Sequence, residues 1–541
     1  MPILTVEYGD EVRRIPFGGT PTVRTVLEEA GISPAHPCGG RGVCGQCAAD
    51  IRGALFPPTE REKELGKRLS CQTRLKGDAR IILRRTAGER TEILTDETEA
   101  YFVRNPLQRE RVQNSQPKDT FFEGDITAVA DIGTTTLALS LYEGNAERPF
   151  YSAGDVNPQV SVAADVIGRI HEAEERGTAF LQRSVSEALT ALAEEGLKSQ
   201  KRETLPPSVK EKLKSQAREI LPASAEKEMH HGLAGDITQW IVTGNTTMLY
   251  LYTGRNPSCL GRYPFMPDHC FDETIIRPDT GAPVYLPPCV HGFLGADLLC
   301  AVLASGMTEK KETALLCDLG TNGEMALWKD GVLYAASAAM GPALEGVGIR
   351  QGCPARTGAI DQVSASGFGP AAHTIGGGRA VGICGSGVVD AVACGLDLGL
   401  IETDGRMERR MALRDGIGLE QEDVQAVLMA KAAAAAGLET LLQVSHTEVD
   451  EIGEAWLCGG FGCRMNLISA ARIGLWPGAL IRRTRTGGNA ALKGAALLRS
   501  EDAREKIRFL AKALRQVPLG GNAAFEKAFI RQMRFASDHT S

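Results

Sequence analysis

A short motif that occurs twice constrains the fold of this chain more than any other feature of its sequence. The first copy, Asp131–Thr136, reads Asp-Ile-Gly-Thr-Thr-Thr and lies between the apolar stretches Ile126–Ala130 and Leu137–Leu141. The second copy, Asp318–Glu324, reads Asp-Leu-Gly-Thr-Asn-Gly-Glu and lies between apolar stretches of the same kind. Each copy predicts a β-hairpin with glycine and hydroxyl groups in its turn. Because a repeated unit is evidence about architecture, the two copies predict two related lobes.

Two such turns facing each other would form a phosphate clamp. Glycine lets the backbone approach an anion, and consecutive amides and hydroxyls donate hydrogen bonds to its oxygens. A carboxylate cannot bind phosphate directly, so Asp131 and Asp318 are predicted to hold a hydrated Mg²⁺, which takes one or two carboxylates together with phosphate oxygens. Ordinary Asp-Gly hairpin turns are the alternative, and the matched pair favours the nucleotide interpretation.

Two further loops follow predicted buried strands and suit the rest of a nucleotide. Gly244-Asn245 ends the strand Gln239–Thr243 and opens a helix, which is where the sheets of α/β proteins bind ligands. Gly459–Gly462 reads Gly-Gly-Phe-Gly after another strand, and such a turn lets a flat purine and ribose lie against the backbone. The sequence contains no Walker A motif and no Gly-x-Gly-x-x-Gly after a strand, so the nucleotide prediction depends on the paired Asp turns.

The N-terminal region carries four cysteines with the spacing of an iron–sulfur site. Cys38, Cys44 and Cys47 lie in one glycine-rich loop with Cys-x5-Cys-x2-Cys spacing, and Cys71 follows alone. Thiolates in a tight glycine loop, with exposed amides that donate to sulfur, suit a [2Fe–2S] cluster. Structural zinc is the alternative, but zinc sites usually use two separated pairs. Predicted strands over 2–8, 11–17 and 79–85, with a helix over 22–30, indicate a compact β-grasp domain.

Composition limits the class of protein. The 541 residues are 43% hydrophobic and 23% charged with a net charge of −7, which predicts a soluble globular protein of two to four domains. The negative charge gives no electrostatic footprint for nucleic acid. We expect no membrane span and no signal peptide, and therefore a cytoplasmic protein. In that compartment, fourteen cysteines indicate metal or redox use rather than disulfides.

The order of these features predicts four segments. Residues 1–90 form the [2Fe–2S] ferredoxin-like domain, 91–123 a polar linker, 124–312 the first lobe and 313–541 the second lobe. The linker is either a moving tether or a pinned strap, and its composition does not separate the two. Residues 198–231 are charged and predict a solvated helical insertion in the first lobe, whose pair His230-His231 is more often incidental than a metal site.

With these residues in hand, the chain resembles the actin, sugar-kinase and chaperone ATPase superfamily, whose two ribonuclease-H-like lobes close on ATP·Mg. The combination of the cysteine loop, the two Asp turns, Gly341–Gly346, Gly382–Gly387 and Gly459–Gly462 is similar to the reductive activators of corrinoid proteins. One branch of that family carries C-terminal [4Fe–4S] clusters, whereas this chain has no cysteine after Cys463. It therefore resembles the branch with an N-terminal [2Fe–2S] domain.

The resemblance implies an α+β multidomain protein, a β-grasp domain followed by a two-lobed actin-like ATPase. It implies an ATP-dependent reaction in which one electron from the cluster reduces inactive Co(II) to Co(I) in a corrinoid protein. That partner would belong to a methyltransferase system or be a corrinoid iron–sulfur protein, with a low-potential electron donor upstream and a homodimeric state. The implied catalytic residues are Asp131, Asp318, Glu324 and Glu345, the latter two as candidates to orient water. The implied nucleotide-binding residues are Gly133, Thr134, Thr135, Thr136, Gly244, Asn245, Gly320, Thr321, Asn322, Gly385, Ser386, Gly459, Gly460 and Gly462, and the cluster ligands are Cys38, Cys44, Cys47 and Cys71.

Three other functions fit part of the sequence. An activator like those of 2-hydroxyacyl-CoA dehydratases would hold a [4Fe–4S] cluster between two subunits, and Cys384 lies in a suggestive loop for that role. However, a buried structural thiol is the commoner fate of such a cysteine. A non-catalytic, ATP-gated redox sensor is the second alternative. A sugar kinase is the third, and it leaves the cysteine loop without a purpose.

Overall fold

A computed structural model describes residues 1–8, 11–30, 32, 47–83, 125–163, 165–203, 236–277 and 280–536. The predicted linker 91–123 lies outside these residues, as do Cys38, Cys44 and His230-His231. Of the predicted insertion 198–231, only the part up to Glu203 is described, and it continues a helix.

The N-terminal sheet has five strands in the order β2-β1-β5-β3-β4, with β1 parallel to β5 and antiparallel to β2. A helix, α1 (Val23–Glu29), packs on this sheet through Val23 and Leu27. The Thr22 hydroxyl accepts a hydrogen bond from the Thr25 amide at 3.2 Å and caps this helix. The strands are β1 (Ile3–Tyr8), β2 (Glu11–Pro16), β3 (Ala48–Leu55), β4 (Arg68–Leu69) and β5 (Leu75–Leu83), and a second helix is α2 (Glu60–Leu65). This mixed sheet with a packed helix confirms the predicted β-grasp arrangement.

The described residues from 125 onward contain two six-stranded sheets with matching connectivity. The first sheet contains β6 (Ile126–Ile132), β7 (Thr136–Glu143), β8 (Tyr151–Val156), β9 (Ile237–Gly244), β10 (Glu273–Ile276) and β11 (Pro283–Leu286). The second contains β12 (Thr313–Leu319), β13 (Asn322–Lys329), β14 (Val332–Ala339), β20 (Ile452–Cys458), β21 (Thr484–Gly488) and β22 (Leu514–Gln516). In the order β11-β9-β6-β7-β8, a central hairpin is extended by a third antiparallel strand and, on its other side, by parallel strands. The order β21-β20-β12-β13-β14 repeats these relations strand for strand. The same connectivity in both sheets confirms the predicted duplication.

Two small sheets are formed by β15 (Ala359–Ser366), β16 (Gly369–Thr374) and β17 (Gly382–Ile383), and by β18 (Met411–Arg414) and β19 (Ile417–Leu419).

Helices cover the sheets and open at the predicted loops. The first two helices of this part are separated at Gly177, where the chain turns with a φ of +79°. The described helices of this part are α3 (Val166–Arg176), α4 (Ala179–Glu203), α5 (Thr246–Thr253), α6 (Ala296–Ser305), α7 (Gly385–Asp397), α8 (Gln421–Val444), α9 (Gly459–Gly462), α10 (Leu467–Arg472), α11 (Ala490–Leu497), α12 (Glu501–Ala513) and α13 (Ala523–Gln532).

Helices α6 and α11 lie between the two large sheets and join them through one core. Val129 of the first sheet, Leu316 of the second, and Leu299 and Leu492 of the two helices belong to the same buried cluster. The helices cross in close contact, because a Cβ at Gly494 would come within 1.8 Å of the Cys300 carbonyl oxygen. This crossing brings the N-terminal ends of α6 and α11 to the edge where both hairpins turn.

One helix of the described residues, α8, is long and apolar enough to cross a membrane by length and composition. Within the fold, 72% of the apolar window of this helix is buried, and the helix packs against β14 and α13. Its apolar character is that of a core helix.

Candidate functional site

The two hairpin turns are shorter than the motifs that predict them. Asp131 pairs with Ala138 inside the first hairpin, and Asp318 pairs with Glu324 inside the second. Because the backbone ladders continue past both aspartates, only residues 133–135 and 320–321 form the turns themselves. The aspartates thus lie at the ends of strands, with the hydroxyl groups just beyond them.

Glu345 joins the two turns. The hydroxyl of Thr135 in the first turn donates to Glu345 Oε2 at 3.0 Å, and the hydroxyl of Thr321 in the second donates to the same oxygen at 2.8 Å. Glu345 ends a 3-10 turn, Pro342–Glu345, that follows β14. The two predicted phosphate turns therefore face each other, separated by one carboxylate.

Five carboxylates gather at these turns: the four predicted ones, Asp131, Asp318, Glu324 and Glu345, and a fifth, Asp297, which is the acidic residue in the first turn of α6. Each is half-buried, so each keeps some surface open to a ligand. We call this set the carboxylate site. Burial, together with the charge of Asp297, raises the pKa of Asp131 to about 7. Burial and the charges of Asp297 and Asp131 raise that of Asp318 to about 7.

The carboxylate site has the character of a cation site. Asp318 and Glu324 are directly opposite in an antiparallel ladder, where like charges are destabilising. Burial raises the pKa of Glu324 well above its usual value, and the charges of Asp297 and Asp318 add to this effect. Among the described residues, no three His, Cys, Asp or Glu side chains are arranged to hold a metal ion by themselves. Mg²⁺ fits this arrangement, because it needs only one or two carboxylates when water and phosphate complete its shell.

Two residues of the site were missed by the sequence analysis. Asp297 follows Gly295 at the start of α6. Asn489 caps α11, its Oδ1 accepting from the Leu492 amide at 2.8 Å while its Nδ2 donates to Asp131 Oδ2 at 3.0 Å. The sequence signals that could have identified these two residues are Gly-Ala-Asp at the start of the apolar helix α6 and Gly-Asn before the apolar helix α11. The contact of Asn489 with the first lobe, however, depends on the helix crossing at Gly494.

Three polar side chains, those of Asn245, Asn157 and Arg169, donate hydrogen bonds to the first turn. Asn245 Nδ2 donates to the Thr134 hydroxyl at 3.1 Å, and Asn157 Nδ2 donates to the Gly133 carbonyl at 2.8 Å. Arg169 is fully buried and donates to the Thr134 carbonyl. Its Nε donates to the Ala163 carbonyl at 3.0 Å, and burial lowers the pKa of Arg169 to about 9. A buried positive charge therefore lies beneath the first turn.

The predicted adenosine motif lies against the second turn. Gly459 has a φ of +78°, and a Cβ there would come within 2.2 Å of Asp318 Oδ1. Gly385 packs on the loop that carries Glu345, because a Cβ at Gly385 would come within 1.8 Å of the Leu344 carbonyl oxygen. The space around Gly460 is open within 4 Å. These contacts bring α7 and α9 to the carboxylate site.

Other predicted residues take up different positions. Gly244 ends β9, Thr136 opens β7 and Asn322 opens β13, all beside the turns. A Cβ at Gly320 would come within 3.3 Å of Glu345 Oε1, and Gly462 lies buried against Leu457. The Ser386 hydroxyl donates to the Asp361 carbonyl at 3.0 Å.

Two of the four predicted cluster ligands lie together in the N-terminal domain. Cys47 and Cys71 are buried, and their Sγ atoms are 3.2 Å apart. Two convergent buried thiols fit the donor set of an iron–sulfur cluster. Glu62 holds the loop that carries Cys71, accepting from the Leu69 amide at 2.9 Å and from the Thr73 hydroxyl at 2.6 Å. Sequence reasoning gave no role to Glu62.

Two surface hollows of the described residues lie away from the carboxylate site. One, of about 720 Å³, is in the N-terminal domain between β3 and α2. The other, of about 640 Å³, is between α8 and α13. Neither is lined by a carboxylate of the site, so the assignment depends on the convergence of side chains and not on cavity volume.

Family models match most of the chain. A 2Fe-2S iron–sulfur cluster binding domain matches residues 10–76. The RACo middle region matches residues 126–206 and 203–310, and the C-terminal domain of RACo, described as the ASKHA domain, matches residues 312–541. These matches agree with the predicted [2Fe–2S] domain and the predicted actin-like ATPase lobes.

Curated relatives and solved structures give the same result. The corrinoid activation enzyme RamQ of Eubacterium limosum is 30% identical over 403 residues, which are 68% of this chain and 63% of that protein. The [Co(II) methylated amine-specific corrinoid protein] reductase of Methanosarcina barkeri is 30% identical over 254 residues, 43% of this chain and 47% of that protein. The aligned parts thus span less than two thirds of both relatives.

A solved structure titled reductive activator for corrinoid, iron–sulfur protein covers 98% of both chains with a TM-score of 0.65 and 24% identity. At that identity, the match shows the fold that the two proteins share. The two RACo models together account for nearly all residues from 126 to 541. The chain therefore belongs to the RACo family, with a [2Fe–2S] cluster-binding domain in front of the RACo middle region and the ASKHA domain.

Proposed function

We propose that this protein is an ATP-dependent reductive activator of a corrinoid protein, which returns one electron to convert inactive Co(II) to Co(I). The observation that carries this proposal is the combination, in one chain, of two facing phosphate turns with a [2Fe–2S] cluster-binding domain. The printed names of the two curated relatives, a corrinoid activation enzyme and a Co(II) corrinoid protein reductase, support the same reaction.

The cluster would be held by Cys38, Cys44, Cys47 and Cys71 and, when bound, supplies electrons one at a time. The chain contributes a protected site for it. Glu62, which is 2% exposed, fixes the loop around Cys71 by accepting two hydrogen bonds from that loop. A ligand loop fixed in this way keeps the thiol in place, and such supporting contacts tune metal sites.

The nucleotide would lie between the two turns. Asp131 and Asp318 would hold Mg²⁺, and Asn489 orients Asp131 for that role through its 3.0 Å hydrogen bond. The hydroxyls of Thr134, Thr135 and Thr321 and the amide of Asn322 would donate to phosphate oxygens, with the adenosine against Gly459–Gly462. Glu324, opposite Asp318, would orient the attacking water. Positioning and charge neutralisation are the protein's main contributions to phosphoryl transfer.

Coupling to electron transfer requires the nucleotide to act on the arrangement of the lobes. For one electron, each ~60 mV of unfavourable potential difference costs ~1.4 kcal/mol. A ligand shifts an equilibrium only by its different affinity for two states. The turns belong to different sheets and are joined through the Glu345 side chain, so ATP and ADP would favour different separations of the two turns and thereby different affinities for the Co(II) partner.

We further propose the assembly in which this reaction runs. Residues 1–90 are the cluster domain, 91–123 the linker, and 124–312 and 313–541 the lobes. The partners are a corrinoid protein and a low-potential electron donor, the active form is a homodimer, and the compartment is the cytoplasm. The corrinoid protein is the partner that the relatives' names support; the other statements come from composition and the family resemblance.

Metal content and partner-stimulated hydrolysis test this function together. After anaerobic reconstitution we expect two irons and two sulfides per chain, and ATP hydrolysis that rises when a Co(II) corrinoid protein is added. Cys71→Ser should lose the cluster and keep basal hydrolysis, whereas Asp318→Asn should keep the cluster and lose hydrolysis. A sugar kinase or a passive sensor would show no stimulation by the Co(II) protein, and that result would refute the proposal.

A further inference from the structure

Glu345 accepts the hydrogen bonds of two threonine hydroxyls, one from each turn, that face the space between the turns. Its Oε2 accepts from Thr135 at 3.0 Å and from Thr321 at 2.8 Å, across 210 and 24 residues of chain. Its Oε1 lies over Gly320, at 3.3 Å from the position that a Cβ would take. A single carboxylate thus occupies the place to which both phosphate turns point.

A hydroxyl group has one hydrogen to donate. The protons of Thr135 and Thr321 therefore cannot be given to Glu345 and to a phosphate oxygen at the same time. A carboxylate and a phosphate are both anions with oxygen acceptors, and their like charges repel each other in a partly desolvated space. The side chain of Glu345 and the phosphates of a nucleotide exclude each other from this position.

We propose that Glu345 is an internal substitute for phosphate, a latch that holds the two turns together without nucleotide and is displaced when phosphate enters. This latch rests on the proposed nucleotide site. It differs from the water-orienting role considered for Glu345, because a displaced side chain does not hold water next to the phosphate.

The backbone around Glu345 indicates that the side chain is the part that moves. Ala343 and Leu344 are buried in the core, and Gly385 packs directly on the Leu344 carbonyl. Glu345 itself is half-buried, and it is followed by Gly346 in the left-handed region with a φ of +79°. The loop is therefore anchored before Glu345, and rotation of the Glu345 side chain is enough to open the latch.

The latch ties the first lobe to the second in the absence of ligand. Thr135 belongs to the first hairpin, and Thr321 and Glu345 belong to the second lobe. When phosphate replaces the carboxylate, the same hydroxyls hold the lobes together through the nucleotide. The two turns would then be free to move apart only between release of the nucleotide and return of Glu345.

Nucleotide binding to Glu345 variants tests the latch. By isothermal titration calorimetry with MgADP and with a non-hydrolysable ATP analogue, we expect Glu345→Ala to bind about tenfold more tightly than wild type, the change expected when competition from one charged hydrogen-bond acceptor is removed. Glu345→Gln should fall in between, because its amide oxygen still accepts from a threonine but carries no charge. Adenosine, which has no phosphate, should bind to all three proteins equally.

Two controls make the outcome decisive. Glu408→Gln removes an exposed carboxylate and should leave every affinity unchanged. If Glu345→Ala does not fold, Glu345→Asp keeps the charge on a shorter side chain that cannot span both hydroxyls, and it should also bind ADP more tightly. Weaker or unchanged ADP binding with slower hydrolysis would overturn the latch and favour a role in orienting water or metal. Absence of nucleotide binding in the wild type would instead overturn the proposed function.

Discussion

Replacing Asp318 with asparagine should make the ligand-free protein more stable while abolishing hydrolysis of ATP. The substitution keeps the shape of the side chain and removes one of the half-buried charges of the carboxylate site. Burial and the charges of Asp297 and Asp131 raise the pKa of Asp318 from 3.8 to about 7. Because the folded state disfavours the charged form, stability decreases as pH rises from about 4 to 7, and the full penalty applies above that range.

The size of this penalty follows from the pKa. A rise in the pKa of Asp318 from 3.8 to about 7 corresponds to a free-energy penalty of ~4 kcal/mol. Halving this penalty for solvent that still reaches the partly exposed group gives ~2 kcal/mol. For a lobe of about 200 residues, that is a rise of roughly 4–8 °C in Tm. We expect this gain for Asp318→Asn at pH 8 and a smaller gain at pH 5, which lies within the range where the penalty develops, measured by circular dichroism melts without Mg²⁺ or nucleotide.

Binding of MgADP should reverse the order of stability of the wild type and Asp318→Asn. MgADP stabilises the form that binds it, so the wild type should gain in Tm and Asp318→Asn should not. An asparagine variant that is less stable than wild type at pH 8 without ligand would refute the account of the site as a set of charges that awaits a cation.

Three further predictions concern other parts of the chain. Gly459→Ala should abolish nucleotide binding in calorimetry, because a Cβ would lie 2.2 Å from Asp318 Oδ1 at a φ of +78°. Gly520→Ala, where a Cβ has no neighbour within 4 Å and which lies outside the adenosine motif, should bind normally; equal binding by both would remove the adenosine motif from the site. In Glu62→Ala the visible spectrum of the reconstituted cluster should be broadened or lost, and the Tm of the N-terminal domain should fall. The reason is that the Leu69 amide and the Thr73 hydroxyl lose their acceptor; a wild-type spectrum and Tm would contradict this. Burial lowers the pKa of Lys431 from 10.5 to about 8, so the folded state disfavours the charged form of this side chain. The stability of the wild type should therefore rise as pH increases from 8 to 10.5. In urea titrations Lys431→Met should lack that rise, and equal pH profiles of the two proteins would contradict this prediction.

Much of the fold could be predicted from local patterns. The paired Asp turns gave both hairpins and the duplication, because alternation and turn chemistry are local signals. Asn245 marked the start of α5 through capping, which also acts within a few residues. The predicted hairpin turns are longer than the observed ones, since an aspartate at a strand end looks like a turn residue in sequence while the backbone ladder includes it.

The rest of the site depends on contacts that sequence patterns do not encode. Asn489 reaches Asp131 across 358 residues, and only the close crossing of α6 and α11 at Gly494 explains this contact. Glu345 was predicted as a site residue, yet its hydrogen bonds to both turns required the three-dimensional structure. Ser386 was predicted from a motif, but its hydroxyl donates to a backbone carbonyl in the structure.

The central claim is that the cluster and the nucleotide site act on one electron. The most direct measurement follows the absorbance of Co(I) when the reduced protein is mixed anaerobically with a Co(II) corrinoid protein, with and without MgATP. The account predicts that Co(I) accumulates as the cluster is oxidised only when ATP is present, and that Asp318→Asn forms none. Formation of Co(I) at the same rate and to the same extent without nucleotide would contradict it.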